Sequence, residues 1–142
     1  MSVSDGNYLA FDYGDKKIGV AVGQPVSGTA TALDALKASS GQPDWQKVTK
    51  LIAEWQPLKL IIGLPLNMDG SEQPVTQRAK KFANRLHGRT GLPIELKDER
   101  LTSVSDKERL FDHEGFRGLK PGLIDSVAAC DILESWFDSM ND

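Results

Sequence analysis

Hydrophobic residues fall along the chain in short runs separated by turn-forming residues. Residues 8–12 and 18–23 are two such runs, and the spacer Tyr13-Gly14-Asp15-Lys16-Lys17 has hairpin length and composition. Two antiparallel strands are predicted. Residues 28–36 alternate small and β-branched side chains after Pro25, which predicts a third, partly exposed strand. Pro43-Asp44 offers an N-cap, and Trp45, Val48, Ile52 and Trp55 then recur at helical spacing until Pro57 forbids continuation. Residues 58–62 are too few for a helix and too apolar for an edge, so they read as a central strand ended by Gly63 and Pro65. Val75, Ala79, Phe82 and Leu86 give an amphipathic helix from Pro74 to about His87, before Gly88 and Gly91. A strand at 94–98 follows. Ser103 and Asp106 have capping-box spacing, predicting a helix over 104–112. After a loop marked by Gly115, Gly118, Pro121 and Gly122, residues 123–140 form one long closing helix.

That order predicts an α/β fold: a mixed five-stranded sheet of three antiparallel and then two parallel strands, flanked by helical crossovers. The length of 142 residues, 39% of them hydrophobic, suffices for one domain, 1–142, that buries a core without disulfides. A single cysteine, Cys130, excludes an intrachain disulfide and a cysteine metal cage, and is expected in helix packing. No apolar run could span a membrane, and residues 1–8 lack the character of a secretory signal, so a soluble cytoplasmic protein with no membrane partner is expected. The net charge of −3 means that any contact with nucleic acid must come from clustered cations. Two clusters exist. Lys16 and Lys17 lie in the turn beside Asp12. Arg78, Lys81, Arg85 and Arg89 fall on one helical stripe, which a solvated flank with aliphatic stems over the core would also explain.

Three acidic positions carry candidate chemistry. Asp12 ends an apolar strand against Tyr13-Gly14, where an ionised carboxylate is costly without a cation or donors beside it; capping of the hairpin turn explains it equally well. Asp125 falls in the first turn of the closing helix, on the core-facing side with Ala128, Ala129, Ile132 and Leu133, or else simply favours the helix dipole. Asp131 points away and is expected in solvent. Asp98 and Glu99 end a strand, and alternation sends them to opposite faces without saying which one faces a site. Arg100 is a neighbouring partner. Such an oxygen-donor set suits Mg²⁺ or Mn²⁺, which takes a few carboxylates together with substrate phosphates; a pair of ions about 4 Å apart would activate water and stabilise a leaving oxygen. No rival centre competes: His87 and His113 are isolated, and neither a P-loop nor a Gly-x-Ser-x-Gly elbow occurs.

Four ordered motifs then converge. Phe-Asp12-Tyr-Gly14-Asp-Lys16-Lys17-Ile-Gly19-Val-Ala-Val-Gly, Ile-Gly63-Leu-Pro65-Leu-Asn67-Met-Asp-Gly70, Asp98-Glu99-Arg100-Leu-Thr102 and Ile-Asp125-Ser-Val-Ala128-Ala129 resemble the bacterial YqgF family, also called RuvX. Its members are described as Holliday junction resolvases and as nucleases maturing the 5′ end of the 16S ribosomal RNA precursor. The resemblance covers nearly the whole chain. It implies an RNase H-like fold, a metal site of Asp12, Glu99 and Asp125, and a preference for Glu99 over Asp98. It further implies substrate contacts from Lys16, Lys17, Asn67 and Arg100, with the 63–70 loop bordering the cleft. Two departures are visible: Lys17 stands where the family often has Arg, and Lys120-Pro-Gly-Leu where a more basic run is common.

Metal-dependent phosphodiester hydrolysis in structured RNA is therefore expected, with the ribosomal RNA precursor and ribosomal particles as partners. Resolution of branched DNA is the alternative, favouring a homodimer over a monomer. A catalytically silent assembly factor is a third reading, because related nucleases often use four carboxylates. Sugar-kinase and actin-like ATPases share an Asp-x-Gly motif but need two lobes, and 142 residues supply one.

Overall fold

The first hairpin forms the centre of the sheet. The computed structural model describes residues 5–98 and 121–140. In it β1 (Tyr8–Asp12) runs antiparallel to β2 (Lys17–Gln24), with Tyr8 opposite Gly23 and Asp12 opposite Gly19. On its other edge β1 pairs in parallel with a later strand, which places Asp12 opposite Gly63 as well. β2 continues the antiparallel ladder to β3 (Thr29–Ser39) and β3 to β4 (Gln42–Pro43). β5 (Leu60–Leu64) lies between β1 and β6 (Ile94–Asp98), parallel to both.

The sheet order is β4-β3-β2-β1-β5-β6, so there are six strands where five were expected. β4 has only two residues, too few for any periodicity, and the Ser40-Gly41 reversal with φ of 53° and 77° folds it onto β3. β3 also runs three residues further than expected, because pairing with β2 and β4 sustains a polar strand end. Leu58 stands outside β5 and is 43% exposed, which moves that strand two residues along from its expected place.

The parallel connections are helical. α1 (Trp45–Trp55) starts at Asp44, whose carboxylate accepts a bond from the Gln46 amide at 3.0 Å, and ends at Gln56 in the left-handed region just before Pro57. α2 (Pro74–Thr90) begins with proline in its first turn and passes through Gly88, stopping only where Gly91 adopts φ 71°. Both helices cover one face of the sheet, where Val48, Phe82 and Leu86 pack on Leu9, Phe11, Ile18, Val20, Leu60 and Ile62.

The opposite face carries α3 (Pro121–Ile124) and α4 (Val127–Met140). There Ile132, Leu133, Trp136 and Phe137 pack on Tyr8, Ala10 and Ile61, while Ala129 and Cys130 pack on Ala21. Burial, then the nearby Glu134 and Asp131, push the Cys130 thiol up to about 12, so it stays protonated as a packing group. The single helix expected over 123–140 is broken by a turn at Asp125-Ser126. Asp131 is half-buried rather than solvated, because small residues let α4 sink close to the sheet. The helix expected over 104–112 lies outside the described residues, as do Glu99, Arg100 and His113. Among the described residues no helix is long and apolar enough to cross a membrane.

Candidate active site

Strand parity decides where Asp12 points. Leu9, Phe11 and Tyr13 belong to the core under α1 and α2, so Tyr8, Ala10 and Asp12 face α3 and α4. Both lateral neighbours of Asp12 are glycines, Gly19 on β2 and Gly63 on β5. No side chain therefore flanks the half-buried carboxylate on its own row of the sheet. Gly19 does more than leave space. A Cβ built on it would lie 2.5 Å from the Asp125 carbonyl oxygen and 3.2 Å from the Ser126 Cα, so Asp125 can lie against β2 only because residue 19 has no side chain. Asp12 and Asp125 consequently share one face and one end of the sheet.

Ser126 anchors that approach. It is fully buried, and its hydroxyl accepts from the Val20 amide at 2.9 Å and donates to the Leu33 carbonyl at 2.5 Å. Val20 and Leu33 are partners across β2 and β3, where the register shifts between Ile18 and Val20. One hydroxyl thus bridges the two strands at an irregularity in their ladder. Its own amide bonds to the Leu123 carbonyl and its carbonyl accepts from Cys130, so the same residue ends α3 and starts α4. Sequence reasoning passed over Ser126, although a serine directly before an apolar helical run is an N-cap signal. The turn also changes the expected helix face: Ala129, Ile132 and Leu133 are buried, Ala128 is half-buried, and Asp125 sits on the turn instead of the helix.

Lys17 closes the arrangement. Its Nζ lies 3.0 Å from Asp125 Oδ2, with side-chain exposures of 58% and 35%. Lys16 is exposed, and its carbonyl accepts from the Ala38 amide. In the same turn Asp15 receives both Nε and Nη2 of Arg78, at 2.6 and 2.8 Å, and this hydrogen-bonded guanidinium holds the Asp15 carboxyl below its usual range. The Tyr13 hydroxyl donates to the Gly41 carbonyl at 2.8 Å; burial and then Asp15 raise its pKa, against the opposing pull of Arg78 and Arg85.

The loop after β5 emerges at the same end of the sheet as Asp12. Asn67 is exposed there, but its side-chain amide donates to Ser71 Oγ at 2.9 Å and its backbone amide to the Ser71 carbonyl, so it also shapes the loop. Thr76 of α2 ties the loop down through the Pro65 carbonyl. Met68 at the tip is 85% exposed. Asp98 pairs in register with Leu64, on the α2 side of the sheet, and so faces away from Asp12. Among the described residues no three His, Cys, Asp or Glu side chains converge on one point, and Glu99 lies outside them. His87 is exposed on α2 with Nδ1 2.9 Å from the Leu92 carbonyl, remote in role from the acids.

A hairpin-led mixed sheet with a parallel continuation and a closing helix across its small-residue face defines the RNase H-like fold of resolvases. Solved structures that share it include Thermus thermophilus RuvC in complex with a Holliday junction substrate, with TM-score 0.58, 15% identity and 94% of each chain covered, and the fowlpox virus resolvase with Holliday junction DNA, with TM-score 0.59, 14% identity, and 96% of this chain and 99% of that one. The chain belongs to the RuvX family, described as Holliday junction resolvase, whose model matches residues 6–139. Among its relatives, a protein of Actinobacillus pleuropneumoniae serotype 5b (strain L20) is 60% identical over 92% of this chain and 96% of its own. One from Pectobacterium atrosepticum is 57% identical over 98% of this chain and all of its own. Both carry the name "Putative pre-16S rRNA nuclease".

Proposed function

We propose that this protein is a divalent-metal-dependent nuclease that hydrolyses phosphodiester bonds in maturing the 5′ end of the 16S ribosomal RNA precursor. The names of its relatives support the substrate, and the resolvase fold supports the reaction class. The observation that supports the reading most is that Asp12 and Asp125 share one face and one end of the sheet, an approach that Gly19 makes possible.

Asp12, Asp125 and Glu99 are the proposed ligands. Asp98 turns to the opposite face, which favours Glu99 as the third acid. The donor set fits Mg²⁺ or Mn²⁺: it is all oxygen, glycines flank Asp12, and Asp125 already attracts a cation in Lys17. A bound ion there would supply Lewis acidity, polarising the phosphodiester and lowering the pKa of the attacking water. The chain's own work is orientation. Ser126 and Gly19 hold Asp125 against β2, while Lys16, Lys17, Asn67 and Arg100 position substrate phosphates beside the acids. The protein acts as a single domain in the cytoplasm, where precursor ribosomal particles present the RNA.

The test is incubation of wild type and Asp12→Asn with 16S precursor RNA and with a four-way DNA junction, with and without Mg²⁺ or Mn²⁺. Metal-dependent cleavage of the RNA by wild type, reduced at least roughly a hundredfold in the variant, is expected. Preferred cutting of the junction would favour the resolvase reading, which the fold likeness to junction-bound structures also supports. Binding without cleavage would leave an assembly factor and end the nuclease reading.

A further inference from the structure

The acids and the turn beside them leave one strongly charged surface unused. α2 contains five of the chain's 17 Lys and Arg residues and none of its 20 Asp and Glu, in a protein whose net charge is −3. Arg78, Lys81, Arg85 and Arg89 fall within about 80° of one another around the helix and extend about 17 Å along it. All four are exposed, while Ala79, Phe82 and Leu86 fix the adjoining flank in the core. Like charges four residues apart, as in Lys81–Arg85 and Arg85–Arg89, destabilise a helix. Asp15 offsets Arg78 alone, and among the described residues no carboxylate pairs with Lys81, Arg85 or Arg89. Lys80 points elsewhere and is held by Glu72 at 2.6 Å.

The two ends of the row are structured. At one end Arg78 is fixed by Asp15, three residues beyond Asp12. At the other the Arg89 guanidinium carbon lies over the Trp45 ring, 4.4 Å from its centroid, and Trp45 in turn stacks on Phe82. A cation–π contact of this kind holds the guanidinium in place while its N–H groups can still bond an anion. A row in which three uncompensated cations follow the Asp15-paired Arg78, with an aromatic at its far end, matches the charge of a sugar–phosphate backbone better than that of a folded protein surface of mixed charge.

We infer that this flank of α2 is a second substrate contact, a track that grips the backbone of a nucleic acid strand after it rounds the end of the sheet from the acids, past the Asp15–Arg78 pair, and runs toward Trp45. The ligand's identity rests on the nuclease reading, so the experiment reads binding separately from cleavage. In the Asp12→Asn background, Lys81→Ala/Arg85→Ala is compared with Lys47→Ala/Lys50→Ala, an equal charge change on α1. The probe is a fluorescein-labelled RNA stem-loop with a single-stranded 5′ extension, titrated by anisotropy across a series of salt concentrations. Alanine favours helix, and circular dichroism verifies that both variants fold.

The α2 variant is expected to bind roughly tenfold more weakly at low salt, with the slope of log K against log salt shallower by about 1.4 on a single strand to 1.8 on a duplex. The α1 control keeps the parental slope. An unchanged slope in the α2 variant, an equal change in the control, or no binding of the probe by the parent protein would overturn the inference. Loss of the track with cleavage intact in wild type, and failure of wild type to cleave with the track intact, are separate results, so neither hypothesis falls with the other.

Discussion

Toward α1 and α2 the sheet presents Leu9, Phe11, Ile18, Val20, Leu60 and Ile62, whereas toward α4 its central strands present Tyr8 and Ile61 among the small residues Ala10, Gly19, Ala21, Gly23 and Gly63. The first face is thick, and each large side chain buried there contributes about 1.5–3 kcal/mol. The second is thin. A Cβ on Gly19 would meet the Asp125 carbonyl oxygen at 2.5 Å, and one on Gly23 would lie 2.5 Å from the Thr29 carbonyl oxygen and 3.1 Å from the Leu133 and Phe137 side chains, so both positions need glycine for the closing segment to lie this near. Both faces bury large side chains, but only the second, through its glycines, sets how near the closing segment comes to the sheet. The candidate active site lies at the end of the face that sets the distance.

Paired substitutions can break that contrast. Phe82→Ala on the thick face should cost about 3–5 kcal/mol in urea unfolding while leaving the Mn²⁺ affinity of the folded protein near that of wild type. Gly19→Ala should cost less, about 1–3 kcal/mol, yet weaken Mn²⁺ binding by roughly tenfold or more, because Asp125 must move away from β2. A Gly19→Ala protein that binds Mn²⁺ normally would show that spacing is not what the thin face contributes.

Ser126→Ala sharpens the same point at a single hydroxyl. Removing it leaves the Val20 amide and the Leu33 carbonyl short of a partner in a buried position, at a cost of about 1–3 kcal/mol. If Ser126 positions Asp125, this variant loses more Mn²⁺ affinity than Ala129→Gly, a change of comparable stability cost on the same helix. Equal affinities in the two would reduce Ser126 to a structural residue.

The smallest effect concerns Asp15, outside both faces. Arg78 lowers its pKa, so the pair's contribution is present above the unfolded value of 3.8 and is lost as pH falls through the folded value. Both side chains are substantially exposed, which keeps that contribution small. The stability difference between wild type and Asp15→Asn should therefore be slight at neutral pH and vanish in acid. A difference that grows as the pH falls would contradict the assignment.

Local signals located much of this architecture. The spacer 13–17 marked the first hairpin, Asp44 the start of α1, and the apolar stripe through Phe82 the buried side of α2. β4 escaped because two residues have no period, and its pairing depends on a reversal with positive φ at both Ser40 and Gly41. The break at Asp125-Ser126 escaped because residues 123–140 are helical by their own preference. What stops the helix is a hydroxyl bonded to two strands distant in sequence. For the same reason periodicity located Asp125 in a helix when it occupies a turn.

By itself the sequence determined the order of the longer strands and helices among the described residues, the family through four spaced motifs, and the residue types from which an oxygen-donor site is made. These are local properties, set by side-chain period and backbone preference. Tertiary structure alone decided that Asp12 stands between Gly19 and Gly63, that Asp98 faces the other way, and that Lys17 reaches Asp125 across 108 positions of chain. Those outcomes depend on strand register and on how closely a helix approaches a sheet. Both are relations between segments far apart in sequence, so no local pattern within one segment specifies them.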